Sequence, residues 1–446
     1  MSNDIRALPS LPQFPFLGNI LSFRQDRLKF LRDLGSHGDL GVFYLGSYPV
    51  VFINSAEYAH GILVQHAQSV EKSLMLRKYM RPLLGNGLLT SENSFHRRQR
   101  KLVAPAFQHR HIANYANTIS AYTDETQARW HQGQRIDIAQ EMMRLTLRVM
   151  SQTLFSTDIN TEADALGRAL TTVLNYSNSV ANTLIHIPYH WPIPQHKRVH
   201  AAIAQLDTTI QRLIHERRTQ PTSTNDLLSV LLQAHDDDDG SFMTDTQVRD
   251  ELMTLFLAGH ETTANALTWT WYLLAHHPHI ATKIKDEVDS TVGTRLPTMD
   301  DLSKLPYTLQ VFKESLRLYP PVYMIARKAS QAFELGSYHV PEGMAFVVSP
   351  YTIHRRADYF DHPEDFNPDR FDTSHEASIP KNAYIPFSLG PRNCIGNHFA
   401  MMEGHLMLAI IAQRMRLLLA PNQRIVPDPS ITLRPKGAIH MIVERF

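Results

Sequence analysis

The decapeptide FSLGPRNCIG runs from Phe387 to Gly396 and holds Cys394, the only cysteine in 446 residues. A single cysteine rules out an internal disulfide, a cysteine-only zinc site and a cysteine-ligated iron–sulfur cluster. If the sulfur binds a metal it does so as a thiolate, and a lone anion needs hydrogen bonds or nearby positive charge. The N–H groups of a tight turn supply these, and Gly390 and Gly396 are expected to permit such a turn. The stretch GNHFAMMEGHLMLAIIAQRM that follows Ile395 predicts a helix, which places the sulfur near the positive end of a helix dipole.

The flanking residues extend this reading. Arg392 stands beside the sulfur and could pair with an anionic group of a cofactor, and Phe387 could pack near the sulfur and exclude water. One thiolate with no histidine or cysteine partner makes a poor zinc site. It suits a metal whose other ligands are not protein, that is, heme iron held by Cys394.

Working outward, one helix stands out. Thr244 and Gln247 have the spacing of a capping box. The apolar run DTQVRDELMTLFLAGHETTANALTWTWYLLAHH follows until Pro278 stops it. About 30 residues make about 45 Å of helix, long and apolar enough to cross the middle of a protein. Its centre reads AGHETT, Ala258 to Thr263, and glycine with polar groups is costly in a buried helix. Threonine hydroxyls bonded back one turn would make this a satisfied kink. The alternative is a groove that receives a ligand, and the segment alone leaves both open.

A second helix, PYTLQVFKESLRLYPP, starts at Pro306 and ends at Pro320-Pro321, with Glu314 and Arg317 on one face. Such a pair is usually a surface ion pair, but Val311, Leu316 and Leu318 around it point to burial. In SFHRRQRKLVAPAF, His96 and Arg100 share a face, with Arg97, Arg98 and Lys101 beside them. Positive charge this early in a helix opposes the dipole and suggests nearby anions. GNGLLT (Gly85–Thr90) lacks the third glycine of a dinucleotide loop, and Ala264 replaces the second histidine of a zinc-protease motif. The run Asp236–Asp239 reads as a solvated loop.

FSLGPRNCIG resembles the heme-binding signature of the cytochrome P-450 family, F-x-x-G-x-R-x-C-x-G, with every fixed position matched. AGHETT is similar to that family's oxygen-activation motif and ESLR to its E-x-x-R pair. FNPDRF (Phe366–Phe371) resembles its P-E-R-F element, with Asp369 in place of glutamate. The four stand in the family's order and spacing. PFLGN near the start and RPKGAIHM near the end extend the likeness over nearly the whole chain. The resemblance implies a mainly α fold with small β-sheets, a single domain over 1–446 that is β-richer over about 1–60, and heme b between the long helix and the cysteine loop.

It implies roles residue by residue. Cys394 would be the axial ligand, with Phe387, Gly396, Ala258 and Gly259 around the heme. Ala258 and Gly259 would leave room for dioxygen beside the helix. Arg392, His96, Arg100 and Arg327 would contact the propionates, His96 standing where many members have tryptophan. Thr262 and Glu261 would deliver protons. Glu314, Arg317 and Arg370 would form the scaffold network behind the cysteine loop. A substrate pocket would draw on Met75, Leu76, Leu255, Ala258, Val322, Ile325 and Ala438, all apolar, which implies a lipophilic substrate: a fatty acid, terpenoid, steroid or polyketide. The reaction implied is monooxygenation by dioxygen. The alternatives are a peroxide-using or non-oxygenating relative, or a heme-binding sensor without turnover.

Composition sets the partners. Lys+Arg 44 against Asp+Glu 43 gives a net charge of +1, so no global field favours nucleic acid. No apolar run reaches about 18 residues and no signal peptide is recognisable, which predicts a soluble cytoplasmic protein without a transmembrane anchor. No flavin, nicotinamide or iron–sulfur segment is present. Electrons would therefore come from a separate ferredoxin or flavodoxin with its reductase, docked near Arg97, Arg98 and Lys101.

Overall fold

A computed structural model describes residues 3–156, 162–181, 191–220, 226–236 and 239–446. The chain groups into two compact units. The first comprises Met1–Arg77, Lys313–Cys394 and Thr432–Arg434, and the second Lys78–Phe312, Ile395–Ile431 and Pro435–Phe446.

The first unit is built on a five-stranded mixed sheet. In spatial order its strands are Leu40–Leu45, Tyr48–Ile53, Ala345–Val348, Ile325–Ala329 and Val70–Lys72. The first two form the hairpin expected from GVFYLGSYPVVFINS, turning at Gly46 with Leu45 opposite Tyr48. The second strand runs parallel to Ala345–Val348, a segment almost three hundred residues later in the chain. Side chains alternate across the sheet with the period of two that a pleated strand imposes. Val42, Val51, Phe346 and Val348 enter one apolar cluster. Phe43, Val50, Phe52 and Val347 enter the other, so both faces are buried. The β-rich part near the start is therefore completed by strands from the last third of the sequence.

The second unit is helical. Its axis is the helix Asp245–His276, 32 residues long, with the predicted capping box present: Gln247 N donates to Thr244 Oγ1 and Thr244 N to Gln247 Oε1. It packs along Ile138–Phe155, and Asn397–Arg414 packs along His109–Ala128. A three-stranded antiparallel sheet closes this unit, in the order Met415–Leu419, His440–Arg445 and Arg135–Asp137. No helix among the described residues is long and apolar enough to cross a membrane.

The polar centre of the long helix is satisfied from within. Thr262 Oγ1 donates to Ala258 O at 2.7 Å, and Thr268 and Thr270 make the same one-turn bond. Such bonds remove the cost of burying a hydroxyl. Along the whole buried centre the exposed residue is Ala258, with Gly259 and Thr262 half-buried beside it. The helix thus combines both readings left open by its sequence: its threonines are satisfied, and one face opens at its centre.

Candidate functional site

In the first unit the cysteine loop is fixed by backbone. Gly390 sits at φ +72°, and a Cβ there would lie 2.1 Å from the carbonyl oxygen of Leu63. Only glycine fits. The chain then makes one tight helical turn, Gly390–Arg392, and Asn393 N donates to Gly390 O at 3.0 Å. Cys394 N donates to Phe387 O at 2.9 Å, closing the loop on itself. Phe387 and Arg392 are half-buried and the Cys394 side chain is exposed, in no disulfide. The structure thus brings Phe387, Arg392 and Cys394 together in one rigid loop. Gly396 differs from expectation. Its φ of −92° is open to any residue, and a Cβ would only touch Phe107 at 3.5 Å. It caps the helix Asn397–Arg414 but does not shape the turn.

Behind this loop lies a buried polar brace. Arg317 donates twice to Glu314, from Nε at 2.7 Å and Nη2 at 2.8 Å, and both side chains are fully buried. Arg370 Nε reaches the same carboxylate at 3.3 Å. Arg317 also donates to the carbonyls of His354, Pro363 and Asp365. The resemblance anticipated these three charged residues, and the structure adds a fourth member, His354. Its Nε2 accepts from Ile385 N at 2.8 Å, so the ring proton sits on Nδ1, which donates to Arg317 O at 3.2 Å. Burial, then the positive charge of Arg317, lowers its pKa to about 3, so the ring is neutral. Ile385 O in turn accepts from Ser388 N, within the segment that leads to the cysteine. Nothing in YTIHRR marks His354, because its partner Ile385 is 31 residues away.

Arg327 is buried in strand Ile325–Ala329, where Nη1 donates to Ala326 O. Of the expected pocket residues in this unit, Ile325 is buried, Val322 exposed and Leu76 half-buried. The side chain of Met75 lies outside the described residues.

In the second unit, His96 and Arg100 stand one turn apart on the helix Asn93–Val103, His96 buried and Arg100 half-buried. Glu261 and Leu255 are buried on the long helix, and Ala438 is exposed. Gly259 has a different reason from the one expected. Its absent Cβ points at Met150, whose sulfur would lie 2.7 Å away, so this glycine lets two helices approach. The opening on this face is left by Ala258. His260 is neutral, its pKa lowered to about 4 by burial, and its Nδ1 donates to Phe256 O.

Two features of this unit escaped the sequence. GNGLLT is pinned to the long helix: Asn86 N donates to Asp250 Oδ2 at 2.7 Å and Leu88 N to Glu251 Oε2 at 3.0 Å. A Cβ on Gly87 would meet Thr254 Oγ1 at 2.2 Å. The glycines rejected as a nucleotide loop serve this close approach. The solvated-loop reading of Asp236–Asp239 is corrected at Asp236, which is buried and accepts from Arg98 Nε at 2.6 Å. Residues 237–238 lie outside the described residues. Arg98, expected on a partner surface, is therefore committed within the protein.

These residues fit a heme. Among the described residues no group of three or more His, Cys, Asp or Glu could hold a metal ion by itself. The available donor is one thiol, held out from a loop that glycine and backbone bonds fix. Buried basic side chains, His96 and Arg327, suit an anionic prosthetic group. The exposed Ala258 and half-exposed Thr262 open a face on a helix otherwise buried.

The comparisons agree. The cyclooctatin synthase of Streptomyces melanosporofaciens is 37% identical over 432 residues, covering 96% of this chain and 94% of that protein. The pentalenene oxygenase of Streptomyces avermitilis is 33% identical, covering 93% and 92%. The crystal structure of the cytochrome P450DA heme domain superposes with a TM-score of 0.88 at 24% identity, covering 98% of each chain, and shows the same fold. The family model for cytochrome P450 matches residues 8–442, and the chain belongs to that family, as a heme-iron monooxygenase acting on a lipophilic substrate.

Proposed function

We propose that the chain is a single heme b domain that hydroxylates or epoxidises a terpenoid, with Cys394 as the axial ligand. The observation that carries this is the lone cysteine in a loop that only Gly390 can turn. Bound heme supplies activation of dioxygen and its insertion into the substrate. The protein's part is placement. The bond from Cys394 N to Phe387 O fixes the backbone that carries the sulfur, and half-buried Phe387 would restrict water there once the group is bound. Arg392, His96, Arg100 and Arg327 would hold the propionates.

Proton delivery falls to Thr262 and Glu261. At rest the Thr262 hydroxyl proton points at Ala258 O. Turning it outward, with buried Glu261 resupplying it, moves a proton to the open face beside Ala258. Electrons would come from a ferredoxin or flavodoxin in the cytoplasm, docked where Arg97 and Lys101 are exposed. The terpenoid assignment rests on the two relatives, one named for pentalenene and one for cyclooctatin, and on the apolar Leu255, Ala258, Val322 and Ile325.

The test has three arms. The reduced, carbon-monoxide-bound protein should show the red-shifted Soret band of thiolate ligation, and its persistence in Cys394→Ala refutes the ligand. Thr262→Ala should consume reductant and release peroxide while forming little product; unchanged coupling removes Thr262 from proton delivery. A spin-state screen of cyclic terpenes against fatty acids, steroids and polyketides decides the substrate class.

A further inference from the structure

The cysteine loop rests on a second support, one that carries no motif. The short helix Ala56–His60 runs directly into a π turn, Gly61–Gln65. The turn is closed by His66 N donating to Gly61 O, five positions back, at 2.8 Å. Such turns hold one residue more than an α-turn, are rare, and are frequent at functional sites. This one is held at both ends by the strand Phe333–Leu335. The His66 ring stacks on Phe333 with the ring centres 4.4 Å apart. A Cβ on Gly61 would lie 2.9 Å from Leu335 Cδ1, so glycine lets the strand approach.

The widened turn changes where one carbonyl goes. In an α-helix the Leu63 carbonyl would accept from Ala67 N, four positions on. Ala67 N donates to Val64 O instead, at 3.4 Å. The Leu63 oxygen faces the cysteine loop and stands where a side chain at 390 would be. A Cβ on Gly390 would lie 2.1 Å from that oxygen and 3.3 Å from Val64 Cα. The contact that remains is the Gly390 Cα–H against the oxygen, a weak bond typical of two backbones packed closely. The apolar cluster that buries Ile62 and Leu63 also takes Ile385 and Leu389. Leu389 and Gly390, consecutive in the loop, are thus set by this turn and its cluster.

The support reaches the sulfur through backbone. Asn393 N donates to Gly390 O, which passes the position of Gly390 to the residue before Cys394. The brace of Arg317 and His354 holds the same segment earlier, at Ile385. An α-helical end at residues 61–65 would draw the Leu63 carbonyl back onto the helix and leave Gly390 without its seat.

We propose that the π turn Gly61–Gln65 is a positioning element for Cys394, with the Leu63 carbonyl as its point of contact. This rests on Cys394 as the axial ligand, so one readout below does not depend on ligation.

The test is deletion of Gln65, which is exposed. Without it the bond from His66 N to Gly61 O spans four positions, and an α-turn forms with the same partners. Two properties of the heme-loaded protein are measured. Amide hydrogen exchange at Asn393 and Cys394 should become about tenfold faster. The reduced, carbon-monoxide-bound spectrum should move part of its Soret band toward the form without thiolate. Gln65→Ala, which keeps the length of the turn, should change neither. A deletion variant with wild-type exchange and spectrum overturns the proposal. Where the deletion prevents folding, Leu63→Ala and Ile53→Ala decide, since both residues are buried in the same cluster. Both should lower the melting temperature. Leu63→Ala alone should speed exchange at Asn393 and Cys394 and shift the band, and equal behaviour of the two overturns the proposal. A wild type with no thiolate band would refute the ligand assignment, while the exchange rates would still test the seat.

Discussion

Two buried glutamates, one in each unit, show opposite ways of carrying a carboxyl group inside a protein. Glu314 accepts from Arg317 Nε and Nη2, from Asn367 N at 3.0 Å and from Arg370 Nε. Glu403, on the helix Asn397–Arg414, is fully buried, and neither of its oxygens has a hydrogen-bond partner among the described residues. Burial pushes its pKa up to about 8. The Thr263 hydroxyl is near enough to oppose that shift but not to complete a hydrogen bond. Glu314 is a charge that fixes geometry, because four donors hold it and an arginine links it onward. Glu403 avoids its desolvation cost by keeping its proton. The first arrangement is rigid and directional. The second is a neutral acid whose protonation depends on pH.

The largest expected effect breaks the first arrangement. Arg317→Ala leaves Glu314 buried with most of its compensation gone and frees three backbone carbonyls. Removing one partner of a buried ion pair costs about 3–5 kcal/mol. Thermal unfolding and heme content after purification should both fall. A variant that keeps its melting temperature would show that Glu314 can find other compensation, and the contrast with Glu403 would dissolve.

His354→Phe is a narrower cut through the same region. The ring volume remains, but Ile385 N and Arg317 O lose their partner. Two buried unsatisfied groups cost on the order of 3 kcal/mol together. The loop leading to Cys394 should loosen too, so the carbon-monoxide complex should show part of its Soret band shifted back toward the form without thiolate. A loss of stability with a fully thiolate-ligated spectrum would confine His354 to a structural role. No change in either would detach it from the brace.

The two regions also differ in how far sequence reveals them. The cysteine loop is encoded locally: Phe387, Gly390, Arg392 and Cys394 stand within eight positions, and their spacing is the geometry of a turn. The long helix is equally local, with Thr244 and Gln247 three apart and Pro278 as its stop. His354 and Asp236 are defined by contacts with Ile385 and Arg98, 31 and 138 positions away. A spacing rule has no access to such pairs, because they exist only once the sheet and helices have packed. The same holds for Gly259: its role is set by Met150 on another helix, so the sequence could show an unusual glycine but not its neighbour. Glu403 carries no mark in the sequence of the helix after the cysteine, since burial on every side is a property of the packed unit.

Glu403→Gln sharpens the comparison from the other side, with a smaller effect and the opposite sign. In the unfolded chain this carboxyl titrates near 4.5, and in the folded chain at about 8. Below the lower value both states hold the proton, and the group contributes no penalty. As pH rises between the two values, the unfolded chain releases the proton while the folded chain keeps it, so stability is lost steadily. Above about 8 the folded state ionises as well and the loss levels off. Glutamine keeps the shape and cannot ionise. Its gain over wild type should be near zero at about pH 4 and on the order of 2 kcal/mol at about pH 6, and it should keep growing toward about pH 8. Melting temperatures of the two proteins across that range measure it. Parallel pH profiles would mean that Glu403 titrates as an ordinary carboxyl, already solvated or paired. Diverging profiles, with Glu314→Gln destabilising at every pH, would separate a carboxylate held by its partners from an acid held by its proton.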